Sequence, residues 1–158
     1  MALSAGQVKS VELYSGVESQ VIEASEPAGT ALYFYQGDLV KWNGAGQIAA
    51  VASTLAIAGI ADSDCVGTAG TKFGLALLDP AAIYVMRIES GEESALAYVG
   101  EISGVDFTTG VQRIDISETT TNDIYIVGVH PDDVGTSDAG VDEGRLLVRF
   151  CYGNFTGV

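Results

Sequence analysis

Apolar residues recur along this chain in short, strand-length runs broken by turn residues. Val11 and Leu13, then Val17 and Val21-Ile22, bracket polar positions in strand-like fashion. "EPAGT" (26–30) reads as a turn, and "ALYFY" and "GDLVKW" after it are rich in aromatic and β-branched residues. From Phe34 to Val51 the pattern is strand, turn, strand, because Asn43-Gly44 suits the two positive φ angles of a tight hairpin turn. "TLAIAGIADSD" is an apolar strand that runs out into an acidic turn. The Ala-rich stretch from Gln47 to Ala58 also fits a short helix, and periodicity leaves both readings open.

The second half is clearer. "AAIYVMRI" (81–88) follows Asp79-Pro80 with the continuous apolar character of a buried strand, and "SGEESALA" suits one helical turn. "AYVGEISGVD", "GVQRIDIS" and "NDIYIVGVH" are strand-like and are separated by "FTTG" and "ETTTN". An acidic, Gly-rich loop runs from Pro131 to Gly144. In the closing "RLLVRF", Leu146, Val148 and Phe150 share one face, and Arg145, Leu147 and Arg149 the other. The pattern predicts an all-β fold, a single β-barrel or β-sandwich of about nine or ten short strands with little helix. Its expected core holds Leu39, Val40, Ile57, Ile60, Ile83, Val85, Ile102, Ile124, Ile126, Val148 and Phe150. Residues 1–9, small and polar, are expected to form a flexible N-terminal arm on a single β domain covering 10–158.

Composition acts mainly by exclusion. A chain of 158 residues is most economically one domain, and 20 Gly against three Pro favour tight turns. The net charge is −14, and the seven Lys and Arg residues are scattered. Nucleic-acid binding depends on clustered cations that neutralise phosphates, so no nucleic-acid partner is expected. "MALSAGQVKS" lacks the basic-then-apolar order of a secretory leader. The longest apolar run, Ile48 to Ala61, is shorter than the ~20 residues that span a bilayer, so no membrane partner is expected. Cys65 and Cys151 read as two partly buried thiols in a reducing compartment.

Catalytic and metal-binding patterns are weak. His130 is the only histidine, and Asp132 or Asp133 would have to orient it, with no Gly-x-Ser-x-Gly elbow in support. A histidine at a surface strand end is the simpler reading. "DSDCVG" (62–67) starts like a calcium loop but has Val66 at its fifth position and Phe73 where a bidentate Glu belongs. Turn chemistry accounts for its Asp and Gly residues. The acidic loop with Asp132, Asp133, Asp138, Asp142 and Glu143 reads as a solvated charged segment. No catalytic residue, cofactor or metal is expected.

The stretches "GDLVKWNGAGQI", "IAGIADSD", "YVMRI", "GEISGVD", "TTTNDIYIVGV" and "GRLLVRF", in this order, resemble small capsid decoration (cement) proteins of tailed bacteriophages. In that class a Gly-Asp-x-Val strand precedes a Gly-Ile-Ala strand, and the chain closes on an Arg-x-x-Val-Arg-Phe strand. The resemblance runs from about Tyr35 to Phe150, and residues 1–30 carry no match. It implies a non-enzymatic protein, assembled in the host cytoplasm, on the outer surface of the virion capsid. There it would clamp neighbouring major capsid subunits of the expanded head. It also implies a homo-oligomer, with a trimer favoured over a dimer.

Val11, Leu13, Tyr14, Lys41 and Trp42 are the candidate contacts with the shell or between subunits. The segment from Ala2 to Val21 would grip the shell as an arm, or else form an ordinary first strand. The rival readings are a carbohydrate- or receptor-binding β module of a phage appendage and a small hydrolase using His130.

Overall fold

The computed structural model describes residues 10–17, 20–25, 33–42, 48–49, 57–66, 72–89, 92, 95–106, 112–120, 123–133 and 144–151. Its strands are β1 (Val11–Ser15), β2 (Val21–Ser25), β3 (Tyr33–Phe34), β4 (Leu39–Trp42), β5 (Ile48–Ala49), β6 (Ile57–Ala61) and β7 (Cys65–Val66). They continue with β8 (Lys72–Leu77), β9 (Ile83–Arg87), β10 (Ile102–Asp106), β11 (Arg113–Asp115), β12 (Ile124–Val129) and β13 (Arg145–Phe150). Three of these strands have only two residues, and the other ten match the expected number. Helix among the described residues is limited to 3₁₀ turns at Leu96–Tyr98 and Pro131–Asp133.

Two antiparallel sheets carry the fold, in the order β1-β9-β13-β12-β10-β11 and β2-β8-β6-β4-β5, with β3-β7 as a separate ribbon. The architecture is a sandwich. The larger sheet curls until Ile88 bridges Ile114 and the Glu89 amide donates to the Ile114 carbonyl, but the sheets do not close into a barrel.

The main core lies between the sheets. Tyr84, Met86, Ile114, Ile124, Ile126, Leu146, Val148 and Phe150 from the larger sheet meet Leu39 and Ile57 from the smaller. Tyr84 and Phe150 pack edge to face at 5.3 Å. A second cluster, with Phe34, Val40, Ala58, Ala61 and Leu75, covers the other face of the smaller sheet. That sheet is therefore buried on both sides, which is why "IAGIA" reads as an unbroken apolar run rather than an alternation.

Several expectations are corrected by the strand faces. On β9 burial alternates so that Tyr84 and Met86 point inward, leaving Ile83 and Val85 half-buried. "AAIYVMRI" is apolar on both faces, so its pattern did not choose between them. Ile102 is 43% exposed. It pairs with Tyr125 on the outer face, and β10 turns Ser103 and Val105 inward instead. A bulge between Ile126 and Gly128 shifts β12 by one position and brings Val129 back to the core. Trp42 faces Ile48, which leaves 43–47 between the paired positions. A two-residue turn at Asn43-Gly44 would have set Trp42 against Ala45; those residues lie outside the described set.

Gly59 allows the smaller sheet to close. A Cβ there would lie 2.3 Å from the Ala76 carbonyl oxygen and 2.9 Å from Leu75 Cδ1. Backbone cannot yield as a side chain does, so Gly59→Ala is expected to cost about 2 kcal/mol or more. Its thermal midpoint should fall by roughly 4–8 °C, measured by calorimetry. An unchanged midpoint would mean that β6 and β8 separate there at no cost.

Candidate functional site

Three polar side chains, Ser10, Asp38 and Gln112, join the sheets. The Ser10 hydroxyl donates to Asp38 Oδ1 at 2.6 Å and accepts the Gln112 amide at 3.0 Å. Asp38 Oδ2 accepts the Tyr35 amide at 2.9 Å. The Gln112 side chain then pairs with the Leu39 backbone as a neighbouring strand would. Its Oε1 accepts the Leu39 amide at 2.6 Å, and its Nε2 donates to the Leu39 carbonyl at 2.8 Å. Ser10, Asp38 and Gln112 are all buried. Burial pushes the Asp38 carboxyl above its ordinary range, while the bonds from Ser10 and Tyr35 pull it back. These groups are saturated by one another, an arrangement suited to joining strands rather than to chemistry.

Lys41 is only 1% exposed, so it is not a surface contact as it stands in the fold. Burial pushes its ammonium pKa down, and the buried Asp123 carboxylate across the sandwich pushes it up. Asp123 also accepts the Val105 amide at 3.2 Å. Val11 is likewise buried, at 2%, within the main core. Both are corrections to the expected contact set: an apolar residue at a strand start and a lone cation in an apolar run look the same in sequence whether they face solvent or core. Leu13 and Tyr14 are 41% and 44% exposed. The Trp42 side chain and residues 1–9 lie outside the described set. The expected arm is, over Val11–Ser15, an ordinary strand paired with β9.

His130 packs edge to face on Tyr14 at 5.7 Å, and its Nδ1 accepts the Asp132 amide at 3.3 Å. Asp132 Oδ2 lies 3.7 Å from the same nitrogen. Beside it, Asp133 takes Arg145 through two side-chain bonds of 2.8 and 2.9 Å, and also accepts the Arg145 amide at 2.7 Å. The Arg145 hydrogen bond holds the Asp133 carboxyl below its ordinary range. This cluster ties the start of the acidic loop to β13. In "DSDCVG", Ser63 Oγ accepts the Gly74 amide and Asp64 accepts the Gln36 amide, so these side chains serve turns. Among the described residues no group of three or more His, Cys, Asp or Glu is placed to hold a metal ion.

Among the described residues a cleft of about 510 Å³ opens at one side of the sandwich. One wall is β1, through Val11, Glu12 and Leu13, and the other is Val21, Ile60, Ala61 and Ala76 of the smaller sheet. Gln36 and Gly37 close one end, Tyr84 contributes to the floor, and Asp62 adds an acid. Sequence reading missed this cleft because it is formed by strands far apart in the chain. Leu96, Val99, Ile102 and Tyr125 are further large apolar side chains left exposed. No protein-family model matches this chain, and no curated protein matches it.

Two outcomes are expected. Lys41→Met should leave the Asp123 charge buried without its cation and cost about 3 kcal/mol, a fall of roughly 6–12 °C in thermal midpoint. A variant that melts with wild type would show that the ammonium does not serve the fold.

Asp133 sets part of the acid response. Its depressed carboxyl contributes stability that is present above the ordinary value of 3.8 and is lost as pH falls through the folded value. Asp38, shifted upward, has the opposite sign and cannot produce that loss. Asp133→Asn should therefore flatten the fall in stability from about pH 5 downward, followed by urea unfolding across pH. An unaltered acid limb would place its origin elsewhere.

Proposed function

We propose that this chain is a head decoration protein of a tailed bacteriophage, added to the outer surface of the expanded capsid and clamping major capsid subunits there. One observation carries the reading. The stretches that resemble decoration proteins fall on β4, β6, β9, β10, β12 and β13. The last four are contiguous in one sheet, in the order β9-β13-β12-β10, and β4 and β6 are neighbours in the other. The resemblance therefore follows one framework rather than scattered loops.

Physical chemistry supports the reading further. A charge of −14 keeps such a protein away from DNA and soluble before assembly. Binding selective for the expanded lattice stabilises that lattice by RT ln(1 + [L]/Kd), about 2.7 kcal/mol per site at a hundredfold excess over Kd. Repetition over a shell turns such a modest term into a large one. Leu13 and Tyr14 are the exposed members of the contact set among the described side chains, and the major capsid protein is the partner.

Co-sedimentation with purified heads tests this. Saturable binding to expanded heads, little binding to unexpanded ones, and a higher temperature of DNA release from decorated heads are expected. Protein that sediments with neither form would overturn the reading.

A further inference from the structure

One wall of the cleft is a sheet end, and the other runs from a sheet end inward across β8 and β6. β1 is the terminal strand of the larger sheet and β2 that of the smaller. Among the described residues no strand pairs with the outer edge of either. Leu13 and Val21, at the rim, are large apolar side chains left 41% and 50% exposed. Glu12 and Asp62 line the same space; Glu12 is within electrostatic reach of the Arg145 guanidinium, and neither carboxylate makes a salt bridge among the described residues. Such a site favours an extended segment with small and apolar side chains and a cation. The β1 edge beyond Val11, whose own amide is taken by the Gly37 carbonyl, supplies its backbone partners.

We propose that this cleft receives residues 1–9 of a second copy of the chain. The sequence of that segment, "MALSAGQVK", has the complementary chemistry. Leu3 and Val8 are apolar, Ala2, Ser4, Ala5 and Gly6 are small, and Lys9 is a cation. The first eleven positions hold none of the chain's 21 acidic residues. Two bodies of charge −14 repel, so contact between copies is favoured through an acid-free, cation-bearing stretch that meets an acidic rim.

Position points to a second copy rather than the same one. Ser10 is locked by its bonds to Asp38 and Gln112, and the Val11 amide donates to the Gly37 carbonyl at 3.0 Å. The segment before Ser10 therefore starts from a fixed point at one end of its own cleft. Its own cleft requires a reversal beside Ser10, whereas a neighbour's does not. Nine residues reach up to ~30 Å, enough to cross to an adjoining copy. A segment of each copy in the cleft of the next is a head-to-tail contact, which closes into a ring when the rotation allows. The proposal concerns association between copies and does not depend on the capsid reading.

The test compares the full chain with a chain lacking residues 2–9, and uses the peptide "MALSAGQVK" as probe. Light scattering should show association of the full chain and a monomer for the truncated chain, with the two melting together. Titrating the peptide into truncated protein should shift the amide resonances of Val11–Leu13 and Val21. A Lys9→Glu peptide should bind about tenfold more weakly, as one reversed charge beside two carboxylates implies. Ala76→Phe, which fills the cleft, should abolish association of the full chain.

A full chain that stays monomeric, or a truncated chain that associates as before, would overturn the proposal. So would a peptide that leaves the cleft resonances unmoved. A monomer whose cleft still binds the peptide would place the segment in its own cleft and remove the second copy. If Ala76→Phe loses head binding but keeps association, the occupant is a capsid segment and not this one. Failure of wild type to decorate heads overturns only the capsid reading.

Discussion

The Asp38 carboxylate is the group on which the two sheets depend for their mutual position. It is buried, and its bonds reach in two directions: to the Tyr35 amide three residues back and to Ser10, just before β1. Ser10 in turn holds Gln112, and Gln112 closes the Leu39 backbone. A buried carboxylate without partners is strongly disfavoured, so the network acts all or none. Hydrophobic contact alone would let the sheets slide across one another. This set of directional bonds defines where β1, β4 and the approach to β11 meet, and with them the mouth of the cleft.

The smaller sheet shows why part of the fold was legible and part was not. Strand-length runs with turn residues between them were enough to predict a sandwich or barrel, and the faces of β13 followed directly from Leu146, Val148 and Phe150. Where both sides of a strand are apolar, alternation vanishes. This left Gln47–Ala58 ambiguous between strand and helix, and it allowed Ile83 and Val85 to be taken for the core in place of Tyr84 and Met86. Ile102 was misplaced for the complementary reason. The inward positions of β10 are a small polar and a small apolar residue, Ser103 and Val105, while its largest apolar side chain faces out.

The polar network and the cleft were invisible for a different reason. Ser10 and Gln112 lie 102 positions apart, and no local pattern marks either as a partner of Asp38. "GDLVKW" reads as part of a strand entered from Phe34, whereas the backbone turns at Gln36-Gly37 between β3 and β4, and nothing local marks the carboxylate. Lys41 has the same difficulty, because its counter-charge Asp123 sits at the entrance of β12. Leu13 and Tyr14 were expected at a contact because few charges lie near them; along β1 every residue after Val11 is exposed, so its burial does not alternate.

The long span between Ser10 and Gln112 also governs when the protein can complete itself during synthesis. β1 must wait for β9 to form its ladder, and Ser10 cannot satisfy its hydroxyl as observed until Gln112 has left the ribosome. The larger sheet then waits for β13, which sits between β9 and β12 and follows both in the sequence. Folding dominated by such distant pairings is slow, because loop closure precedes any reward from contact. Until the C-terminal strand arrives, the apolar faces of β9 and β12 have no central partner, and the nascent chain depends on its negative charge to keep apart from its neighbours.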